Sequence, residues 1–343
     1  MASTETAGLA RLRDEIGEQP AAIARLLARQ GAAVRAVARE IERRAPRAVV
    51  FVARGSSDNA AVYGRYVLEV RNRLLTSLAA PSTVTLYGAG PALAGAVVVA
   101  VSQSGRGEDV RAYLAYARAA GALTVAVVND PSSPVAAAAD AVLDCLAGPE
   151  LSVPATKSVT AQMTVLAMLS AALAGEGADS LAALPAAVER VLASARRVGR
   201  LADALAPFDA LAVVGRGFAY PAALEIALKL KEAARVRAEP FSAADFQHGP
   251  VTLADRSHPA LVCDVGGKSA AEARAAMARV RRQGGARWRL RAPLGAVASD
   301  QLAEHLAAIP AVVLGQLLAV ELGLRRGVDP ASPEGLAKVT STR

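Results

Sequence analysis

The stretch RAVVFVARGSSDNAAVYGRYVLEVRNR, residues 47–73, decides the fold. Arg47–Ala53 is a β-rich apolar run, Gly55-Ser56-Ser57 a tight turn, and Asn59–Arg73 carries apolar residues at helical spacing. The segment therefore reads as strand, turn and helix. Upstream, Leu9–Arg44 keeps a helical spacing with one break at Gln19-Pro20, which predicts two helices before the first strand. Downstream the rhythm repeats: a strand Ala96–Val101, a loop Ser102–Glu108, a helix to Ala120, a strand Leu123–Val128, a short helix and a strand Ala141–Cys145. Such alternation implies an α/β fold, a parallel sheet with helices on both faces.

After a loop at Ala147–Thr156, two Ala-rich helices are expected to run through about Ala206. A second strand, turn and helix then opens with Ala210–Val214 and Gly215-Arg216-Gly217, and further strands are expected at Ala260–Asp264 and around Arg287–Arg291. The second half thus reads as α/β too, with the boundary near residues 175 to 205. A length of 343 residues agrees, because a single hydrophobic core rarely grows past ~250 to 300 residues.

Composition excludes several classes. With 53% hydrophobic and 20% charged residues, the chain can bury a sizeable core. The net charge of +8 raises nucleic acid as a partner, but the basic residues are scattered, aromatics are only 3%, and no Cys/His zinc spacing is present, so no nucleic acid is expected. The same positive balance suits a small anion. Cys145 and Cys263 sit in apolar strand-like surroundings, which predicts buried free thiols. The apolar stretches Ala92–Val101 and Ile309–Val320 are too short to span a bilayer, so no membrane is expected and the chain reads as cytoplasmic.

Ligands of open parallel sheets bind beyond the carboxyl ends of the strands. Two serine-rich loops hold that place, Gly55-Ser56-Ser57 and Ser102-Gln103-Ser104-Gly105, and both supply small hydroxyls and pliable backbone for an anion. Serines after strands also serve as plain helix caps, and either role fits one loop taken alone. Gly215-Arg216-Gly217 lacks the third glycine of a dinucleotide fingerprint, and no Walker-type loop is present, so neither a nucleotide cofactor nor a metal is expected.

Glu225, Lys229 and Glu232 are spaced to share one helix face, which fits a solvated ion-paired stripe or a functional cluster on a helix that begins at the ligand edge of the second sheet. His248 stands in the turn-rich Phe246-Gln247-His248-Gly249-Pro250, where an imidazole suits proton transfer; His258 and His305 read as structural. The chain uses five lysines against 34 arginines, so Lys157, Lys229, Lys231 and Lys338 are expected to include positions that need an amine able to shed its proton.

Taken in order, these motifs, with Ala147-Gly148-Pro149-Glu150, Ala155-Thr156-Lys157 and Leu336-Ala337-Lys338, resemble the sugar isomerase (SIS) family. The resemblance is to the isomerase half of glucosamine-fructose-6-phosphate aminotransferases and to stand-alone glucosamine-6-phosphate deaminases. It implies N-terminal helices over 1–45, two tandem SIS domains over 46–190 and 191–330, and a catalytic tail over 331–343. It also implies that Ser56, Ser57, Ser102, Gln103 and Ser104 form the sugar-phosphate pocket, with Val153 near the sugar and Lys157 in the supporting loop. Glu232 is then the base moving a proton between C2 and C1, assisted by Glu225 and Lys229. His248 opens the ring, lent by a neighbouring subunit of a homodimer, and Lys338 engages the open-chain sugar.

Two departures bear on the reaction. Arg106-Gly107 follow Gly105 where family synthases carry an acid and a threonine. The chain starts Met1-Ala2-Ser3 and reaches its first strand near Arg47, without the N-terminal cysteine nucleophile of a glutaminase domain, so release of ammonia is the expected direction. Alternatives are a relative acting on tagatosamine 6-phosphate or a fructosyl-amino-acid 6-phosphate, or a non-catalytic sugar-phosphate sensor.

Overall fold

A computed structural model describes residues 7–292 and 302–338. The described chain divides into two compact units. The first comprises Ala21–Glu150, Lys157–Ala182 and 337–338, and the second 7–20, Leu151–Thr156, 183–292 and 302–336.

The first unit is built on five parallel strands, β1 (Val49–Val52), β2 (Thr76–Leu78), β3 (Val97–Ser102), β4 (Leu123–Val128) and β5 (Ala141–Asp144), in the order β2-β1-β3-β4-β5. β4 is buried along its whole length and β3 up to Val101, as a sheet covered on both faces requires. Helices Ser56–Asn72, Lys157–Leu173 and Gly31–Arg44 pack together. Helix Glu108–Ala119 and the short Pro134–Ala137 close over Val52, Val98, Ala100, Ala126 and Val128.

The lead-in holds three helices, not the expected two: Ala7–Gly17, Gln19–Arg29 and Gly31–Arg44. The additional break falls beside Gly31, a weak helix former, where the apolar spacing simply continues on either side. Pro20 is the second residue of its helix, where a missing N–H is harmless. The stretch after Thr156 likewise carries three helices rather than two, Lys157–Leu173, Leu184–Leu192 and Ala195–Leu205, with a single 3₁₀ turn at Ala178–Leu181.

The second unit has four parallel strands, β6 (Ala210–Gly215), β7 (Arg237–Ser242), β8 (Ala260–Cys263) and β9 (Arg287–Leu290), in the order β7-β6-β8-β9. Helix Ala270–Arg282 contributes Ala273, Ala276 and Val280 to a core with Ala212, Val214, Ala260 and Val262. Helix Ala219–Ala234 packs on Glu304–Arg325, which also meets Leu184–Leu192 and Ala195–Leu205.

That last helix corrects the expectation for Ile309–Val320. The apolar segment runs over Glu304–Arg325, long and apolar enough by length and composition to cross a membrane, its most apolar window having a mean hydropathy of 1.9. Its most apolar window is 89% buried within the protein, so in this fold it is a core helix. Pro310 is the seventh residue of this helix, past the first turn, so it leaves the carbonyl of Leu306 without its intrahelical N–H donor.

Gly315 and Gly323 let this helix come close to Ala219–Ala234: a methyl group at Gly315 would strike Ile226, and one at Gly323 the carbonyl oxygen of Ala233. Backbone yields less readily than a side-chain tip. Gly323→Ala is therefore expected to cost about 1–3 kcal/mol as an overpacked contact, read as a lower urea midpoint at unchanged slope. Cys145 and Cys263 are free and buried, as expected. Burial, with the charge of Asp264 added, pushes the Cys263 thiol up to about 12.

Candidate functional site

In the first unit the chain passes from β1 outward to β2 and then returns to the other side of β1 as β3. The sheet therefore reverses direction between β1 and β3, and such a switch point opens a crevice at the carboxyl ends of the strands. The two serine loops leave from these two strands. Ser56 begins helix Ser56–Asn72, following Gly55 in a left-handed conformation, and Ser102 is the last residue of β3. Gly105 also has a positive φ, and a side chain there would run into Ser133.

The hydroxyls in these loops are held as acceptors. Gln162 donates its side-chain N–H to Ser57 Oγ at 3.0 Å, Gly105 its backbone N–H to Ser102 Oγ at 3.0 Å, and Arg106 its backbone N–H to Ser104 Oγ at 3.3 Å. A serine that accepts still has its own O–H to donate, the capacity an anion needs. Gln103, Ser104 and Arg106 line an open pocket of about 440 Å³ together with Asn129, Asp130 and Glu150. Asn129 ties the pocket walls by accepting from Ala147 N–H at 2.9 Å and donating to the Gly148 carbonyl at 2.8 Å. The guanidinium of Arg106 is 3.9 Å from Asp130 and largely exposed.

Lys338 belongs to this unit. Its Nζ lies 2.9 Å from Oε2 of Glu150, a carboxylate that also receives the backbone N–H of Ser158 at 3.0 Å and its hydroxyl at 2.7 Å. Sequence reasoning assigned Glu150 no role, and its partner is 188 positions away. Burial alone would raise the Glu150 carboxyl, but the charge of Lys338 and the Ser158 hydrogen bonds outweigh it and hold the group below its ordinary value. A depressed carboxyl stabilises the fold above its unfolded value, ~4.3 for Glu, and loses that contribution as pH falls through the folded value. The melting temperature of Glu150→Gln should thus lie below that of the unaltered protein at pH 7, with the gap closing under about pH 4. Lys157 is the first residue of the buried helix Lys157–Leu173 rather than part of a loop.

In the second unit Glu225, Lys229 and Glu232 form one cluster, and the solvated-stripe alternative does not hold for it. The Glu225 and Lys229 side chains are 1% and 3% exposed, while Glu232 is 18% exposed. Lys229 Nζ lies 3.5 Å from Glu225 Oε1 and is hydrogen-bonded to Glu232 Oε2. Helix Ala219–Ala234 does start at the carboxyl end of β6, but Glu232 lies in its last turn, about 20 Å further along at 1.5 Å per residue. Val153 is half-buried in the Leu151–Thr156 segment of this unit. His248 is exposed at the end of helix Ala243–Gln247, its N–H donating to the Asp245 carbonyl at 3.0 Å. His305 stacks at a tilt on Phe218, with ring centres 5.9 Å apart.

A model of the SIS domain matches residues 44–172 and 205–290, covering strands of both sheets. The chain belongs to the SIS domain family. This SIS chain is 33% identical over 346 residues to a glutamine–fructose-6-phosphate aminotransferase (isomerizing) of Methanothermobacter thermautotrophicus, across 94% of its own length and 56% of that protein. It thus spans little more than half the length of this curated relative. A provisionally named phosphosugar isomerase from Silicibacter pomeroyi DSS-3 superposes with a TM-score of 0.83 at 32% identity, covering 93% of the SIS chain and 99% of the other. A glucosamine-6-phosphate deaminase from Thermotoga maritima shares the fold at a TM-score of 0.78 and 19% identity, over 98% and 100% of the two chains.

Proposed function

We propose that this SIS chain is an aldose–ketose isomerase that deaminates an amino sugar phosphate, converting glucosamine 6-phosphate and water to fructose 6-phosphate and ammonia. The observation that carries the reading is the cluster in helix Ala219–Ala234: a buried ammonium between two carboxylates, one of them, Glu232, still reachable by solvent. A carboxylate hydrogen-bonded in place yet accessible is what a proton-transferring base requires. The serine loops supply the phosphate donors, with Ser56, Ser57, Ser102, Gln103 and Ser104 in that role.

The chemistry follows from the residue types. His248, contributed by a second copy in a homodimer, moves the protons that open the sugar ring and expose the C1 aldehyde. That carbonyl acidifies the C2 proton. Glu232 takes the C2 proton and delivers one to C1, which leaves a ketimine at C2, and water adds to the ketimine to release ammonia. Val153 and Lys157 shape the pocket, and Lys338 engages the open-chain sugar. Incubation with glucosamine 6-phosphate should yield ammonia and fructose 6-phosphate in equal amounts, and appearance of neither would defeat the assignment.

A second substrate is favoured by one observation, Arg106 on the pocket wall where the family resemblance calls for an acid and a threonine. A guanidinium there offers a charge-assisted contact to a carboxylate as readily as to a phosphate. Tagatosamine 6-phosphate and a fructosyl-amino-acid 6-phosphate, assayed beside glucosamine 6-phosphate, discriminate the two readings by which one releases ammonia or free amino acid.

A further inference from the structure

We propose that Glu150 is the positioning residue for the C-terminal lysine: its carboxylate docks Lys338 beside the serine-loop pocket and, through it, sets how the sugar phosphate is held. The inference rests on the proposed part of Lys338 in sugar binding and extends it to a residue of a different segment.

Glu150 has a fully buried side chain, which is unusual for a carboxylate without a designated partner. Its contacts divide into two sets with different logic. Ser158 donates both N–H and O–H from the first turn of helix Lys157–Leu173, where free backbone N–H groups and the helix dipole favour a negative charge. Those bonds fix the carboxylate in place and keep it ionised. They do not supply a counter-charge.

The counter-charge comes from Lys338, whose side chain is 22% exposed and so stands at the border between buried carboxylate and solvent. Glu150 itself lines the pocket with Gln103, Ser104 and Arg106. Glu150 thus lends its backbone to the pocket wall, while its carboxylate, buried behind that wall and clamped by Ser158, holds the ammonium of Lys338. That arrangement delivers an amine to the pocket with its location already fixed, and preorganisation of this kind reduces the ordering cost of binding.

The direct test is the reactivity of Lys338 toward an N-hydroxysuccinimide acetate reagent, followed by peptide mass spectrometry on the full chain. Exposed Lys231 and Lys268 serve as internal standards. Glu150→Gln should speed labelling of Lys338 severalfold, because the amine loses the carboxylate that holds it at 2.9 Å, and leave both standards unchanged. Glu150→Asp, which keeps the charge, should fall between the two and covers the case in which the amide variant fails to fold. Equal labelling in all three proteins overturns the proposal.

Kinetics supply the second arm. Against glucosamine 6-phosphate, Glu150→Gln should raise KM more than it lowers kcat, and in a Lys338→Met background it should add less than about a twofold effect, because residues acting through one another are not additive. A further tenfold loss in the double variant would show Glu150 acting independently of Lys338 and would reject the idea. If the unaltered protein turns over no amino sugar phosphate, the proposed function fails while the labelling result still decides the docking.

Discussion

Glu232→Gln should lower turnover of the amino sugar phosphate by about 10²- to 10⁴-fold, the usual contribution of a positioned general base, with the substrate's dissociation constant changed little. The amide has the shape of the carboxylate and its oxygen still accepts from Lys229, so the cluster keeps its packing while losing the proton acceptor. Activity and binding are therefore expected to separate. The measurement is kcat for ammonia release beside calorimetric binding of glucosamine 6-phosphate. A loss of binding as large as the loss of turnover would place Glu232 in substrate recognition instead.

Lys229→Met should have the largest effect on stability, about 3–5 kcal/mol, the range found when one member of a buried ion pair is removed. Methionine fills much of the same volume, so the cost is electrostatic. Glu225 is 1% exposed, and removal of the ammonium 3.5 Å away takes an opposite charge from a carboxylate that water cannot reach. Urea unfolding at pH 7 measures this directly. A change below about 1 kcal/mol would mean that Lys229 is not what holds the buried Glu225 carboxylate. The two variants of one helix thus report on different things, Glu232→Gln on chemistry and Lys229→Met on the fold.

Much of this architecture is legible in the sequence because its central strands are runs of β-branched residues with no alternation. Leu123–Val128 is found where the sequence puts it, and Val49–Val52 falls inside the expected Arg47–Ala53. The missed strands are both edges. Thr76–Leu78 has three residues and one neighbour, and Arg237–Ser242 carries Arg237, Glu239 and Pro240, residues that an edge tolerates and a central strand does not. Neither has an apolar signature to read.

Of the candidate site, the serine loops are legible because strand, glycine and serine follow one another locally. The burial of Lys229 is not, since i, i+4 charge spacing is identical on a wet face and on a dry one. Nor is the position of Glu232 within its helix, for the glycine turn marks where the helix starts and says nothing of where along it the carboxylate falls. Glu150 was hidden for a different reason. Its meaning depends on a contact between distant segments, and no local pattern announces that.

The Glu150–Lys338 contact also has a timing. A ribosome adds ~5–20 residues per second, so Lys338 is made roughly 10–40 s after the carboxylate it will neutralise. Throughout that interval the nascent first sheet must either leave Glu150 wet or bury it without the ammonium of Lys338. The buried carboxylate of the first unit is thereby completed only once a segment 188 positions later has been made, and a chain cut before Lys338 would leave it without that ammonium.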